Sequence, residues 1–576
     1  MNLNGNYITT PEWINDLIVY EIATKSFTSP NGPESGTFKS LKEKMAYLYD
    51  LGITGIWLTG HSLSNPDHFY NIWTQYACIE PDHLDPTLGT PEDFKAMVDE
   101  AHRLGIKVFL DVITHGVMSD SPLIKQHPDW FKGGSWGMTD YDWDGNHPDL
   151  DEWWVSTWVN YVKKFGIDGF RLDVAAYRPD LWYLVRKKAN QIGHPIVIFP
   201  EVGPAFMGFS DFLQHGTRLS ENLYYNTKHR ILRDLSAYIK EVLNPDTIQY
   251  SVKIEYEDGT ARGDTLEVKY KGCHQEELIH PTSGGRYIAN WCVLQVNNGA
   301  VDKKISNIIV EDKQKNQEMY QWSLKGEIAV DNKVDYKVEG STLEIRFPIR
   351  LPKGQKLSIQ LSCHDNGWTG YDKNKSPYVS HGSRYIFGYA LLFAPGVPIF
   401  MAGEEFNADY TPLPKLTPEL FGEGTPGEGR WLYGNWIKWD QLKDQEKADM
   451  FKDVQKMIEI RKKEQDLIHP AVVGSDVNLI SVPYEADVEL PKPYAYYNED
   501  SILLIAANHY KNKDITIKFQ IPLDILNNWD QAKVTDLWKD KEIGNYFLSQ
   551  LKKLEWTINK DKSPRGGLLV LKIVRI

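Results

Sequence analysis

Buried strands that alternate with amphipathic helices predict an α/β protein built on a (β/α)8 TIM barrel. A β-rich insertion and a C-terminal antiparallel β-sandwich are predicted to accompany it. Strand-like segments recur between helical stretches up to residue 205, and polar residues directly follow several of them. In a barrel such strand ends converge on one pocket. A dinucleotide-binding sheet is disfavoured, because EIATKSFTSPNG offers no glycine-rich turn after the first strand.

The first part of the barrel is predicted in residues 1–245. Its strand segments are LIVYEIA, GITGIWLTG, IKVFLDVITH, IDGFRLDVA and PIVIFPEVG, with helices such as FKSLKEKMAYLYDLG and PEDFKAMVDEAHRLG between them. A further helix is expected to begin with a capping box formed by Asp149 and Glu152, with most of its tryptophans packed inward.

From residue 246 to 353 the apolar residues alternate with period two, which predicts a β-rich insertion. The barrel resumes over 354–470 with the strands KLSIQLSCHD and PIFMAGEEF, the helix YIFGYALLFA, and a helix from about Gln445 to Lys463. Residues 471–576 are again β-rich and are expected to form the sandwich. The insertion could bind sugar, line the pocket or contact another copy, and the sequence does not choose among these roles.

Composition excludes several classes of function. A net charge of −14 argues against a nucleic-acid surface, which needs clustered Lys and Arg. No apolar run approaches the roughly 20 residues of a membrane span. The start, MNLNGNYITT, lacks the basic and apolar parts of a signal peptide, so a cytoplasmic protein is expected. The four cysteines show no CxxC spacing and no cluster with histidines, which indicates reduced thiols rather than a metal site.

The chemistry-bearing residues lie in four short segments, LDVITHG, GFRLDVAAY, FPEVGP and LSCHDNG. The residues of interest in these segments are four carboxylates, one arginine and one histidine: Asp111, Asp173, Glu201, Asp365, Arg171 and His364. Two carboxylates on separate strand ends, next to cationic and hydrogen-bonding groups, suit acid-assisted cleavage of a glycosidic bond.

These segments, in this order with GITGIWLTG and APGVPIFMAGEE, resemble the strand-end signatures of glycoside hydrolase family 13, the α-amylase superfamily. Within this family, the motifs resemble most those of oligosaccharide-acting α-glucosidases and cyclomaltodextrinase-like members. The resemblance covers the barrel and the C-terminal sandwich but not the insertion. It implies Asp173 as nucleophile, Glu201 as general acid/base and Asp365 as the carboxylate that stabilises the transition state.

The local sequence agrees with this division of roles. Arg171 lies two residues before Asp173 on the same strand face, where its charge favours an ionised nucleophile. The apolar neighbours Phe199, Pro200 and Val202 favour a protonated Glu201.

The resemblance also implies sugar-binding residues. His364 is expected to hydrogen-bond the ring that is cleaved, with Asp111 and Arg171 beside it. Tyr70, in DHFYNIW, resembles a stacking tyrosine of the family, and a core position is the alternative. Where the family commonly has Asn-His, this chain has His115-Gly116. The glycine is expected to leave space, and His115 either replaces the lost contact or is structural.

No metal or cofactor is expected. The segment SFTSPNGPESGTF resembles a calcium loop of family members, but Ser29, Pro33 and Thr37 stand at its acidic positions, and a hard cation needs several charged oxygens. The segment HPDLD, residues 147–151, resembles a signature of oligosaccharide-acting members, which favours short substrates.

The sequence therefore predicts a retaining glycosidase that cleaves α-linked gluco-oligosaccharides through a covalent intermediate on Asp173. A transglycosidase acting on the same substrates is one alternative. A non-catalytic carbohydrate-binding or scaffold protein on a decayed barrel is another. The expected partner is an oligosaccharide, with no nucleic acid and no membrane, and the oligomeric state is open.

Overall fold

A computed structural model describes residues 10–576 except 66–75, 135–136, 175–176, 202–205, 208–209, 215–233, 244–248, 264–265, 280–285, 298–302, 314–316, 324–334, 349–353, 365–383, 410, 413–434, 476, 527–528 and 552. Within these described residues, none of the helices has the length and apolar character needed to cross a membrane. Cys78, Cys292 and Cys363 are buried free thiols, as the cysteine spacing predicts.

Seven parallel strands form the central sheet, and each comes from a segment that the sequence identifies as a barrel strand. In chain order the strands are Val19–Ile22 (β1), Gly55–Leu58 (β2), Lys107–Val112 (β3), Gly169–Leu172 (β4), Val197–Pro200 (β5), Ser358–Gln360 (β6) and Val397–Met401 (β7). In spatial order the sheet reads β6-β7-β1-β2-β3-β4-β5.

Residues 210–214 lie between the two edge strands, β5 and β6, and hydrogen-bond to both sides. The backbone N–H of Asp211 donates to the carbonyl of Ile198 at 2.8 Å, and the N–H of Gln214 donates to Pro200 at 2.8 Å. On the other side, the N–H of Lys356 donates to the carbonyl of Asp211 at 3.0 Å. This irregular segment therefore joins the open edges of the curled sheet.

Helices cover the outside of the sheet. The longer ones span Phe38–Leu51, Pro91–Arg103, Pro148–Phe165, Pro179–Gln191, Leu235–Leu243 and Gln445–Lys463, and the YIFGYALLFA segment forms a π-helix over Ile386–Leu392. Shorter α-helical turns span Thr24–Phe27, Pro122–Gln126 and Leu548–Leu551, and 3-10 turns span Glu12–Asp16, Pro128–Trp130, Glu404–Phe406, Trp439–Lys443 and Leu523–Leu526.

The helix of residues 148–165 corrects one detail of the sequence analysis. Its N-cap is His147 and Pro148 is its first residue, so Asp149 and Glu152 do not form the expected capping box. Proline suits the first helical position because its missing N–H would have no intrahelical partner there. Trp154 and Trp158 are buried, as the inward packing of its tryptophans predicts.

Alternation along each strand separates two apolar layers. Val108 and Leu110 of β3 pack in the cluster between sheet and helices. Phe109 points the other way, into a cluster with Trp57 and Phe199 that fills the barrel interior. Phe212 belongs to this interior cluster, so the joining segment contributes to the core as a strand would. Asp111, two residues after Phe109, consequently faces inward.

Two antiparallel sheets with a common apolar core lie within the region of the β-rich insertion. Their strands are Phe206–Met207, Tyr250–Tyr256, Ala261–Arg262, Val268–Ile279, Arg286–Asn297, Ile305–Asp312, Gln317–Ser323, Asp335–Glu339 and Thr342–Pro348. The participation of residues 206–207 ties the insertion to the barrel segment that follows β5.

Towards the C-terminus, a six-stranded and a three-stranded antiparallel sheet share another core. Their strands are Leu479–Ser481, Tyr484–Glu485, Tyr494–Tyr497, Ser501–Ala507, Ile515–Phe519, Gln531–Asp536, Lys541–Phe547, Glu555–Ile558 and Leu568–Arg575. Smaller two-stranded pairs join Ser62–Ser64 to Cys78–Leu84, Gly116–Met118 to Met138–Asp140, and Thr411–Pro412 to Asn435–Trp436. The domain boundaries given above stay predictions.

Candidate active site

A fully buried guanidinium group, that of Arg171 on β4, holds the candidate site together. Its Nη1 lies 3.0 Å from Asp111 Oδ1 and 2.5 Å from Asp173 Oδ1. Its Nη2 lies 2.8 Å from Glu201 Oε2, and its Nε donates to Gln214 Oε1 at 2.7 Å. One cation thus contacts three carboxylates from the ends of three neighbouring strands.

Strand register explains this convergence. Asp111 on β3 is the direct register partner of Arg171 on β4, and Arg171 in turn is opposite Phe199 on β5. Burial would lower the pKa of Arg171, but the surrounding carboxylates, beginning with Asp111, raise it well above the usual value. The guanidinium is therefore a fixed positive charge.

Asp111 lies below the pocket surface, with a side chain that is 1% exposed. The indole Nε1 of Trp57 donates to its Oδ2 at 3.0 Å. Burial raises the pKa of Asp111 to about 7, against the opposing effect of Arg171, and the charge of Asp173 raises it further. Asp111 holds Arg171, and Arg171 in turn holds Asp173 and Glu201. Direct contact of Asp111 and Arg171 with sugar stays a prediction.

Asp173 and Glu201 are the more accessible carboxylates, with side chains 8% and 15% exposed. Their backbones continue the ladder, since the N–H of Asp173 donates to Val112 and that of Glu201 donates to Leu172, each at 2.8 Å. Glu201 therefore has a charged neighbour, Arg171, in addition to the apolar residues beside it in the sequence.

Val174, directly after Asp173, links the two carboxylates through its backbone. Its N–H donates to Glu201 Oε2 at 3.0 Å. Its φ of 60° lies in the left-handed region, which is unfavourable for a β-branched residue. Backbone strain of this kind persists only where the surrounding structure enforces it, and such positions cluster at functional sites.

His115 lies at the rim of the same site. Its Nδ1 is 3.2 Å from Asp140 Oδ1, and its Nε2 is 3.8 Å from Asp173 Oδ2. The expectation that Gly116 leaves space is wrong. Gly116 pairs with Asp140 in a hairpin, and a Cβ atom there would lie 2.2 Å from the carbonyl oxygen of Thr139.

His364, in the segment that follows β6, is fully buried. Its Nδ1 hydrogen-bonds Oε1 of Glu21, and its backbone N–H donates to the same oxygen at 3.3 Å. Its Nε2 hydrogen-bonds the hydroxyl of Tyr76, which is 3.4 Å from Arg171 Nη1. Asp365 and Tyr70 lie outside the described residues.

Neither Glu21 nor Tyr76 is among the site residues predicted from the sequence. Glu21 did carry a signal, because it is a charged residue inside the otherwise apolar strand segment LIVYEIA. Such a residue is rare in a fully buried strand unless it is paired. Tyr76 follows DHFYNIW without a pattern that separates it from a core tyrosine.

Two further buried carboxyl groups follow β7. Glu404 contacts the hydroxyl of Ser362 and accepts the N–H of Met401 at 2.9 Å. Glu405 accepts the hydroxyl of Tyr20 at 2.9 Å and the N–H of Gly403 at 2.8 Å. Burial raises the pKa of Glu404 to about 8 and that of Glu405 to about 6.

Metal ligands do not cluster in the described part of the chain, where no group of three or more His, Cys, Asp or Glu side chains could hold an ion. The expectation concerning calcium stays a prediction.

The chain is similar to known proteins over its N-terminal part. Residues 21–133 match the model of the alpha-amylase catalytic domain family. The intracellular maltogenic amylase of Bacillus subtilis is 26% identical over 207 residues, covering 29% of this chain and 34% of the relative. The trehalose synthase of Pimelobacter sp. (strain R48) is 34% identical over 145 residues, covering 25% and 22%. The match therefore spans about a third or less of these two relatives.

Solved structures resemble the whole chain. The alpha-amylase from Geobacillus thermoleovorans, complexed with acarbose, gives a TM-score of 0.56 at 16% identity, covering 98% of this chain and 99% of that one. A maltogenic alpha-amylase from Thermotoga neapolitana gives 0.55 at 16% identity, covering 97% and 99%. These likenesses confirm the predicted barrel fold. The family match at residues 21–133 agrees with the α-amylase superfamily that the motifs of this chain resemble.

Proposed function

We propose that this protein is a retaining glycosidase that cleaves α-linked gluco-oligosaccharides, with Asp173 as nucleophile and Glu201 as general acid/base. The observation that carries the proposal is that both carboxylates contact the terminal nitrogens of one guanidinium, that of Arg171. They are therefore close neighbours, and a retaining mechanism needs carboxyl groups only about 5–5.5 Å apart.

In the first step, Asp173 attacks the anomeric carbon while Glu201 gives its proton to the departing glycosidic oxygen. Arg171 stabilises the negative charge of Asp173 before attack and remains beside it while that charge passes into the new ester bond. In the second step, Glu201 takes a proton from water, which attacks the same carbon and releases Asp173. The N–H of Val174 fixes one oxygen of Glu201 throughout.

We assign the third carboxylate to Asp365, directly after His364. His115 Nε2 lies 3.8 Å from Asp173 Oδ2, and Tyr76 links His364 to Arg171, which supports the proposal that both histidines bind sugar hydroxyls. Tyr70 remains the proposed stacking residue. The substrate class rests on the names of relatives, which include maltogenic amylases.

A substrate panel tests the proposal. The purified chain is assayed on maltose, isomaltose, panose, pullulan, starch and cyclodextrins, with Asp173→Asn as the inactive variant and Asp144→Asn, at a side chain 94% exposed, as the matched control. Loss of one member of a catalytic group costs roughly 10⁴- to 10⁶-fold in turnover, so the turnover of Asp173→Asn should fall by a factor in that range. Turnover that survives in Asp173→Asn would refute the assignment.

Two readouts refine the mechanism. The first product should keep the α configuration when its anomeric proton is followed by NMR, and inversion would exclude the double displacement.

A transglycosidase is the second candidate, because one relative is a trehalose synthase, named for synthesis rather than hydrolysis. Products longer than the substrate, dominant at high substrate concentration, would favour transfer. A cytoplasmic location stays a prediction.

A further inference from the structure

We propose that Glu21 is a positioning residue that fixes the ring of His364 and a proton on its Nδ1; this inference rests on the proposed function and extends it. Glu21 and His364 are separated by 343 residues in the chain, and both side chains are 0% exposed. Their pairing joins β1 to the segment that follows β6.

The hydrogen bonds show what Glu21 does for His364. Oε1 of Glu21 contacts Nδ1 of the ring and also accepts the backbone N–H of the same residue at 3.3 Å. A carboxylate oxygen accepts, so Nδ1 must carry the proton that is shared. Both the ring and the backbone of His364 are thereby oriented by one oxygen.

The opposite nitrogen of the ring faces Tyr76. Nε2 contacts the hydroxyl of Tyr76, and that hydroxyl lies 3.4 Å from Arg171 Nη1. A ring turned over by 180° would present carbon atoms here and lose the contact, and the Glu21 bond prevents this.

Glu21 has little other reason to be charged. Its register partners on the neighbouring strands are Trp57 and Met401, both apolar. Its second oxygen, Oε2, has no hydrogen-bond partner within the described chain. Burying a carboxylate lowers stability unless it is paired. An apolar residue at this position of β1 would avoid that free-energy cost. The hydrogen-bond donors found for Glu21 in the described structure both belong to His364.

Two variants separate the effect of the position of the Glu21 oxygen from the effect of its charge. Glu21→Gln keeps an oxygen at the same distance but removes the charge. Glu21→Asp keeps the charge but withdraws the oxygen by one methylene. If orientation is the role, Glu21→Gln keeps most of kcat/KM. Glu21→Asp loses about 10–100-fold, the usual effect of removing the carboxylate that orients a functional histidine, with the loss in kcat rather than KM.

The matched control is Glu405→Gln, a fully buried carboxyl at the same barrel end that bonds Tyr20 rather than His364. It should lower the thermal midpoint without lowering kcat/KM. Wild-type kcat/KM in Glu21→Asp would overturn the inference. So would an equal loss of activity in Glu21→Asp, Glu21→Gln and Glu405→Gln, because a general packing defect explains that pattern.

A spectroscopic test does not depend on turnover. In protein labelled with ¹⁵N-histidine, His364 should give a strongly downfield Nδ1–H resonance, assigned by its absence in His364→Gln. The resonance should remain observable but shift upfield in Glu21→Gln, where the acceptor oxygen is neutral, and should disappear in Glu21→Asp. Should the wild type cleave no glycoside, the proposed function fails, whereas an unaltered resonance in Glu21→Asp refutes the role of Glu21.

Discussion

Replacing Glu404 by Gln should weaken the pH dependence of stability between pH 4.5 and 8. Glu404 is fully buried directly after β7, and burial raises its pKa from 4.5 to about 8. The charges of Glu21 and Glu405 raise it further. The folded protein therefore carries a proton at pH 7 that the unfolded chain releases.

The sign and size follow from this difference in proton binding. Between pH 4.5 and 8 the folded state binds more protons than the unfolded state, so the free energy of unfolding falls as pH rises. Stability from the neutral form is complete below pH 4.5 and is lost as pH rises through the folded pKa. At about 1.4 kcal/mol per pKa unit, a shift from 4.5 to about 8 corresponds to roughly 5 kcal/mol.

A glutamine at this position imitates the protonated acid. Its amide can donate to the hydroxyl of Ser362 and its oxygen can accept the N–H of Met401, so both present contacts are kept. We expect wild type to lose thermal stability steadily from pH 5 to pH 8. The Gln variant should lose much less and should exceed wild type at pH 8.

The assay is the midpoint of thermal unfolding, followed by circular dichroism at pH 5, 6, 7 and 8. Glu92→Gln, at an exposed residue in the first turn of a helix, is the control and should keep the wild-type slope. Parallel pH profiles for wild type and Glu404→Gln would refute the reasoning, because they would show that Glu404 does not bind the extra proton.

Other changes test the site and its supports. Arg171→Met leaves buried carboxylates unpaired, so it should cost about 3–5 kcal/mol of stability and abolish turnover. Arg171→Lys keeps the charge but lacks the planar guanidinium, so it should restore stability only in part. Full activity in either variant would contradict the central role of Arg171. Val174→Gly should raise the unfolding free energy by roughly 1 kcal/mol, measured in urea, because it removes the strain of a positive φ; an unchanged midpoint would show that no strain is stored. Gly116→Ala should cost roughly 1–3 kcal/mol through the contact with Thr139 and lower kcat/KM through His115, and a silent variant would show that the hairpin adapts.

The parts of the fold that could be predicted are those in which local pattern and tertiary environment agree. The helix Gln445–Lys463 was expected between the same residues, because Asp444 caps it and its apolar residues have helical spacing. The seven strands lie within segments that are rich in apolar residues and alternate with helical ones. The π-helix over Ile386–Leu392 could not be predicted, because its residues are apolar on every side and period alone does not fix the winding.

The candidate site divides in the same way. Asp173, Glu201 and Arg171 were found because strand ends converge in a barrel, so short local motifs imply long-range contacts. Glu21 was missed because its function depends on a histidine on another strand, and no local pattern encodes that pairing. Gly116 was read as a lost side chain, whereas the approach of a second backbone explains it.

The joint formed by residues 210–214 has a consequence for the order of folding. Closing the ring there requires residue 211 to meet residue 356, and contacts so distant in sequence form slowly because loop closure costs entropy. Apart from Phe206–Met207, the strands of the inserted sheets lie within this loop, and Gln355 Nε2 donates to Ser210 Oγ at 2.6 Å at its base. An insertion that folds early would bring its two ends together and shorten the effective loop. The inserted sheets would then set the rate at which the barrel closes, and with it the rate at which Arg171 gains the Gln214 bond that completes its surroundings.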